Sequence, residues 1–271
     1  MRFSRFLTVS LFCFVTASLY SQMTPTAPIK NFRLPRFGDN GYTQWMLLGE
    51  QGIYDRDEQV SVQQMAMRIY SGDQRMALEL SMDSPEGTLR LQENRGYSES
   101  PIEIAGANFK ISGIGWEWSG DTKEIIVKQD AVVKFTQGIA GAFGDIGETN
   151  TDGDLSDTEI HSDLLVLRTT VEEYYFEFTG SVHAVSDQMD LKSESLIALA
   201  DVPQGRGGSG AKLAPSELDS IRQIIARDDV TIIQSGKTIK ADEAEFFPRE
   251  KLANLSGAAS IDMKGAYLSG E

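Results

Sequence analysis

A unit of two strands joined by a polar turn occurs twice in the C-terminal half of this 271-residue chain. The first copy covers residues 162–182 and the second covers residues 241–259. In each copy an aspartate opens the first strand, and a glycine lies near the middle of the second strand: Asp163 with Gly180, and Asp242 with Gly257. Repeated units of this kind stack on one another and bury a shared core. The repeat therefore predicts a stack of β-strands, similar to a β-solenoid, and not a compact enzyme core.

The segment 174–184 alternates apolar and polar side chains over its whole length. Its apolar positions are Tyr174, Phe176, Phe178, Gly180, Val182 and Ala184. Because successive side chains of a strand point to opposite faces, this pattern predicts one dry and one wet face, as in an antiparallel sheet over an apolar interior. Gly180 on the dry face indicates a β-bulge or a close approach by another segment, and we favour the bulge.

The N-terminal half shows the same period of two. Residues 65–69, 76–83 and 89–91 alternate, and turn-forming residues separate them at 71–73 and 84–87. We find no convincing amphipathic helix there. In the second half, residues 216–225 fit a short capped helix or the start of a strand from about Ile221, and we favour the strand.

The first residues have the layout of a secretory signal. Arg2 and Arg5 precede an apolar run over residues 6–20, which predicts a signal peptide over residues 1–21 or an uncleaved membrane anchor. Cleavage after Ala17 or after Ser21 is compatible with the sequence. The single cysteine of the chain, Cys13, lies inside this run, so the exported part would have no disulfide, thiolate ligand or cysteine nucleophile.

The composition bounds the partners and the organisation of the chain. A formal charge of −15 excludes nucleic-acid binding through counterion release and adhesion to anionic lipid through bulk charge. A Gly- and Asp-rich stretch at 138–158 predicts a linker between a β segment at 29–137 and a second β segment at 159–271.

Several segments resemble one known family. Residues 162–182, 226–246 and 255–257 are similar to the OstA-like repeat of the lipopolysaccharide-export periplasmic proteins of the LptA type. Residues 29–35, 45–52 and 113–118 resemble the LptC type of the same system, and together the matches cover most of residues 29–136 and 159–271. Whether such a chain would serve as anchor, bridge or both stays open.

The resemblance implies a β-jellyroll or β-taco fold in two stacked segments, located in the periplasm and either free or anchored in the inner membrane. It implies a non-enzymatic carrier, without cofactors, that holds the acyl chains of lipopolysaccharide or a related glycolipid in an apolar groove. It also implies edge-to-edge docking with other β-jellyroll transport proteins, an ABC transporter at the inner membrane as the source of energy, and self-stacking.

The side chains expected to line this groove are apolar residues on one face of successive strands. They are Met65, Met67, Ile69, Leu78, Leu80, Met82, Leu165, Leu167, Phe176, Phe178, Val182, Ile232 and Phe246. Burying a methylene stabilises by about 0.8 kcal/mol, so a chain of about a dozen carbons gains roughly 10 kcal/mol at most. A membrane offers the same chain a comparable gain, which predicts a passive conduit. Ordinary core packing would use the same residues.

Two other classes of protein stay open. Trp45, Trp116 and Trp118 could stack on a sugar in a carbohydrate-binding or carbohydrate-active envelope protein, although core packing is the simpler interpretation. The chain could also be a purely structural β-solenoid.

Other polar motifs give no site. Residues 150–159 are similar to a calcium loop, but they lack its glycine at the sixth position and its glutamate at the twelfth. We favour a solvated acidic loop, and calcium binding stays open as the alternative. His161 and His183 belong to no recognisable catalytic triad, and we expect His183 on the wet face.

Overall fold

The computed structural model describes residues 28–54, 59–135, 157–186, 189–202, 221–234, 236–250, 252–263 and 266–270. Within these ranges the chain is all-β, with sixteen antiparallel strands in one sheet and no helix. The predicted all-β, antiparallel class is therefore confirmed. The strands are β1 Ile29–Phe37, β2 Thr43–Tyr54, β3 Gln59–Tyr70, β4 Leu78–Arg90, β5 Arg95–Ala105, β6 Phe109–Ser119, β7 Glu124–Phe135, β8 Thr158–Ser162, β9 Leu164–Thr169, β10 Glu173–Ser186, β11 Met189–Asp201, β12 Ile221–Gln234, β13 Lys237–Phe247, β14 Leu252–Ser256, β15 Ser260–Met263 and β16 Ala266–Ser269.

From β1 to β7 and from β10 to β13 each strand pairs with the next one in sequence, so most of the sheet is a meander. Strands β8 and β9 lie end to end, and both pair with β7 on one side and β10 on the other. Strands β14 and β15 lie on β13 in the same way. The two segments predicted from sequence therefore share one continuous sheet. Of the linker predicted at 138–158, residues 138–156 lie outside the described residues, and Thr158 already begins β8.

The sheet bends along a line that crosses the middle of its long strands. At this line the pairing slips, for example between Thr179 and Val182, between Lys192 and Ser195, and between Arg227 and Val230. Residues with positive φ accumulate at the same line. Because a β-bulge bends and twists the strand that carries it, a row of bulges across adjacent strands folds the sheet on itself. We call this row the fold line.

The fold line divides the sheet into two leaves. Leaf one comprises residues 43–48, 65–70, 78–84, 101–105, 109–112, 131–135, 158–162, 182–186, 189–192, 230–234, 237–241, 260–263 and 266–269. Leaf two comprises residues 51–54, 59–63, 86–90, 95–98, 114–119, 124–127, 164–169, 173–179, 195–201, 221–227, 243–247 and 252–256.

Ring contacts show that the two leaves face each other. Phe109 of leaf one meets Phe176 of leaf two edge to face, with ring centroids 5.0 Å apart. Trp45 of leaf one meets Trp118 of leaf two in the same manner at 5.8 Å. Edge-to-face pairs at such separations stabilise by about 0.5–1.5 kcal/mol beyond the burial of their area. The hydrophobic core is therefore the layer of side chains between the leaves.

The sequence repeat corresponds to a feature of the fold line. The backbone N–H of Asp163 donates to the carbonyl of Gly180 at 3.0 Å, and that of Asp242 donates to the carbonyl of Gly257 at 2.9 Å. Both glycines have positive φ, +81° and +67°, and a Cβ on either would collide with the aspartate side chain. Gly180 and Ser181 form a bulge between paired residues of β10 and β11, which confirms the β-bulge interpretation of Gly180.

Candidate functional site

The inner faces of both leaves form the candidate site, and most of the predicted groove residues lie there. Eleven of them are buried between the leaves: Met65, Met67, Leu80, Met82, Leu165, Leu167, Phe176, Phe178, Val182, Ile232 and Phe246. Ile69 is half-buried and packs against this core at the edge away from the fold line. The period-two pattern thus identified the inward face correctly.

Leu78 was placed in the groove by the same pattern, and this placement was wrong. Its side chain is 57% exposed. The pairing of β3 with β4 slips between Ile69 and Tyr70, so Ile69 faces Leu80 whereas Tyr70 faces Leu78. This irregularity breaks the alternation at the start of β4. As a result Leu78 is exposed, and Glu79 is half-buried.

The interior is filled by the protein's own side chains. Phe109, Phe135, Tyr174 and Phe176 form one aromatic cluster between the leaves, with centroid separations from 5.0 to 6.4 Å. Burial raises the pKa of the Tyr174 phenol to about 12, and the nearby Glu79 carboxylate adds to this shift. The inward faces are therefore apolar, and the protein's own side chains occupy the space between the leaves.

The three tryptophans also belong to this interior. Trp116 is fully buried, and its Nε1 donates to Ser84 Oγ at 3.3 Å. Trp45 and Trp118 are buried at their mutual contact. The core-packing interpretation of the tryptophans is confirmed, and in this arrangement their faces are not exposed for a sugar to stack on.

A small cavity opens between the leaves at the side opposite the fold line. Its volume is about 260 Å³. Its walls are apolar at Ile69, Leu80 and Ile125 and at the two indoles, whereas Gln44, Ser71, Asn94, Lys123 and Thr169 contribute polar groups. We call it the rim cavity. It lies where strand ends and turns of both leaves meet.

A hydrogen-bond chain joins the leaves beside the rim cavity. Trp45 Nε1 of leaf one donates to Asn94 Oδ1 at 2.9 Å, and Asn94 lies in the turn between β4 and β5. The Asn94 Nδ2 group donates in turn to Asp121 Oδ1 at 2.8 Å. Because Asn94 is buried, losing these partners would leave its amide unsatisfied. The chain therefore helps to hold the rim closed.

Charged residues lie next to residues of the rim cavity in the sequence: Asp73 follows Gly72, and Glu79 precedes Leu80. Burial raises the pKa of Glu79, and the negative charge of Asp73 adds to this increase. The positive charges of Lys123 and Arg75 lower the same pKa. Hydrogen bonds from Arg75 and Ser71 lower the pKa of Asp73 to about 2. Glu79 is thus a half-buried carboxyl whose ionised form is disfavoured, within range of the charge of Lys123.

Two larger depressions lie on the outer faces. One, of about 400 Å³, is lined by Arg90, Arg95, Tyr97 and Glu117, and the other, of about 560 Å³, by Asp83, Glu103, Lys110 and Lys134. Both are shallow and lined by charged side chains, several of which form ion pairs. We therefore regard them as solvated outer surface.

The ends of the sheet leave strand edges unpaired within the described part of the chain. Strand β1 pairs with β2 alone, and β16 pairs with β15 alone. Large apolar side chains are exposed at both ends, Ile29 and Phe37 on β1, and Tyr267 and Leu268 on β16. Unpaired strand edges are templates for pairing with another chain.

The outer polar residues show no further site. His161 and His183 lie on adjacent strands with ring centroids 6.5 Å apart, beside Glu159 and Asp190. Among the described residues no group of three or more His, Cys, Asp or Glu side chains could hold a metal ion. The predicted acidic loop lies outside these residues at 150–156, and Glu159 is paired with Lys134 at 2.6 Å.

Comparisons with known proteins give no relative: no family model matches the chain, and no curated protein matches it significantly. The resemblance to the lipopolysaccharide-export family therefore remains a prediction. In the described ranges, no helix has the length and apolar character needed to cross a bilayer. The predicted signal or anchor at 1–21 lies outside them.

Sequence reasoning missed the rim cavity and its polar residues. Asn94 and Lys123 lie in turns, and Glu79 follows an alternating pattern that gives no sign of the bulge. Only the contact between the leaves brings Asn94 and Lys123 to one cavity, and Glu79 within range of the Lys123 charge.

Proposed function

We propose that this protein is a non-enzymatic periplasmic carrier of lipopolysaccharide or a related glycolipid, with the β-taco or jellyroll architecture of LptA- and LptC-type proteins. The observation that carries the proposal is a single antiparallel sheet folded around a largely apolar interior, with unpaired strand edges at both ends of its described part. A sheet that only had to be stable would normally protect its edges.

Loading requires the leaves to part, because side chains fill the interior. The ladder hydrogen bonds run between strands along the sheet, so opening it along the rim separates side-chain contacts and leaves the ladder intact. An acyl chain between the leaves would replace the apolar contacts that the leaves make with each other. Its burial would stabilise by about 0.8 kcal/mol per methylene. The exchange is nearly balanced, which suits a conduit that binds and releases. Direction would come from an ABC transporter at the inner membrane.

The open edges supply the docking surfaces of the proposal. Strand β1 at one end and β16 at the other would each add a strand of a neighbouring β-jellyroll protein, or of a second copy. The predicted signal or anchor over residues 1–21 agrees with a chain that acts on the periplasmic side of the inner membrane.

Photocrosslinking tests the carrier. A photoreactive residue at Phe178, Leu80 or Phe246 should form an adduct with glycolipid in cells, because these side chains face the interior. The matched control is Glu103, which is exposed on the outer face of β5. Equal labelling at inner and outer positions, or none at the inner ones, would contradict the proposal.

A structural spacer is the second candidate, and the filled interior favours it. Such a protein would associate through its ends and contain no lipid. Mass spectrometry of the natively purified protein separates the two: bound glycolipid supports the carrier, and a lipid-free protein that still associates end to end supports the spacer.

A further inference from the structure

The rim cavity has a mixed lining. Ile69, Leu80 and Ile125 form apolar walls together with the indoles of Trp45 and Trp118, and Lys123 contributes a cation. At about 260 Å³ the cavity is smaller than the roughly 300–1,000 Å³ typical of pockets for drug-sized ligands. A cavity of this size and mixed lining suits a short segment of an amphiphile, with hydrocarbon against the apolar walls and an anionic group at Lys123.

Lys123 is held in position by its backbone. It has a positive φ of 51° in the turn between β6 and β7. Its carbonyl accepts a hydrogen bond from the N–H of Thr169 at 3.0 Å, and Gly120 in the same turn donates to the carbonyl of Asn94 at 2.9 Å. The turn is therefore tied to two neighbouring segments, and Lys123 is one of the residues that line the cavity.

Glu79 is a poor internal partner for this lysine. Lys123 acts on the Glu79 carboxyl through its charge and not through a hydrogen bond. The other groups that face Glu79 are Arg75, Asp73 and the Tyr174 phenol. Half-burial disfavours the ionised carboxyl, so an exogenous anion with better access to Lys123 can take its place.

We propose that the rim cavity is a headgroup subsite, which takes the first methylenes of a single anionic amphiphile while its phosphate or carboxylate pairs with Lys123 in place of Glu79. The inference rests on the proposed lipid-carrying function and specifies where a chain enters and which headgroup charge is selected. An ammonium paired with a phosphate makes a charge-assisted contact that a neutral headgroup lacks.

Binding of three probes to the purified protein tests this subsite. The probes are dodecyl phosphate and dodecanol, both below their aggregation concentrations, and inorganic phosphate. Tryptophan fluorescence reports binding, because Trp45 and Trp118 line the cavity, and calorimetry gives the affinities. We expect dodecyl phosphate to bind about tenfold more tightly than dodecanol, and inorganic phosphate alone not to bind measurably.

Three variants make the test specific. Lys123→Met should abolish the preference for the phosphate headgroup, so that dodecyl phosphate and dodecanol bind with similar affinities. Glu79→Gln should increase that preference several-fold, because the competing carboxylate is gone. Lys110→Met, which removes an exposed lysine on the outer face of β6, is the matched control and should change nothing. Circular dichroism checks that each variant is folded. If Lys123→Met does not fold, Glu79→Gln still tests the proposal.

The outcomes distinguish a failure of the headgroup subsite from a failure of the proposed carrier function. Equal affinities for dodecyl phosphate and dodecanol, or a preference that survives Lys123→Met, would overturn the headgroup subsite and leave the carrier standing. Tight binding of inorganic phosphate that depends on Lys123 would show a free-anion site and also overturn it. If neither twelve-carbon probe binds, both the subsite and the carrier fail.

Discussion

At the scale of single residues, the fold line depends on glycines that no other residue replaces easily. Gly180 combines a positive φ with an Asp163 side chain that occupies the space of a Cβ. A left-handed backbone costs a residue with a side chain about 1–2 kcal/mol. The collision with Asp163 adds to this cost. The Asp–Gly spacing in the sequence therefore corresponds to a contact between the two residues at the fold line.

The substitution Gly180→Ala should therefore destabilise the protein by more than the backbone term alone. Gly236→Ala is the matched control, since Gly236 also has a positive φ, +74°, but a Cβ added there would have no atom within 4 Å. Urea unfolding should show a loss of about 1–2 kcal/mol for Gly236→Ala and a clearly larger loss for Gly180→Ala. Adding Asp163→Gly to Gly180→Ala should recover part of the difference. Equal losses at the two glycines would disprove the role of the collision.

At the scale of elements, the last strand leaves backbone groups facing outward. Just after β16 the N–H of Gly270 bonds to the carbonyl of Ala259, and the register continues with Leu268 opposite Ile261 and Tyr267 opposite Asp262. Bonded pairs alternate along an antiparallel ladder, so Leu268 bonds to β15 whereas the N–H and carbonyl of Tyr267 point to the open edge.

Tyr267→Pro should thus weaken docking at this edge without detaching β16, because proline removes only the outward N–H. Analytical ultracentrifugation should show less end-to-end association, or a lower affinity for a β-jellyroll partner, than for the natural chain. The control Tyr267→Ala keeps the N–H and removes the ring. If it weakens association as strongly as the proline does, the side chain and not the strand edge is responsible.

At the scale of the whole molecule, function in the proposed carrier depends on relative motion of the two leaves. The leaves are connected through the fold line and meet elsewhere by side-chain packing, with the Trp45–Asn94 hydrogen bond at the rim. Separating the leaves at the rim breaks mainly side-chain contacts, whereas separating adjacent strands would break backbone hydrogen bonds. In the proposed carrier we therefore expect the leaves to part at the rim.

Linking the leaves across the rim should block lipid uptake. The single natural cysteine is Cys13, so a version lacking residues 1–21 offers a cysteine-free background. The pair Ile69→Cys and Ile125→Cys, one on each leaf beside the rim cavity, would be joined by a bifunctional thiol reagent that contains a disulfide. Uptake of a fluorescent acyl probe should fall on linking and return on reduction. The control pair is Glu103→Cys and Ser112→Cys, which are neighbours within leaf one. Undiminished uptake in the linked rim pair would argue against opening at the rim.

Much of the architecture could be predicted from the sequence. Alternation over residues 65–69 and 174–184 is a local property of the strand, so it revealed the antiparallel sheet and its inward face. The strand interpretation of residues from Ile221 onwards was confirmed as β12. The prediction for Leu78 failed because one bulge reverses a pattern of period two, and bulges leave no clear trace in composition.

The sequence by itself determined which side chains are turned inward, because the period of a strand is fixed by backbone geometry. Only the tertiary structure decided that the inward faces of the two leaves meet, that Phe109 and Phe176 pack between them, and that Glu79 lies within range of the Lys123 charge. These contacts join residues far apart in the chain, and their positions depend on where the bulges bend each strand.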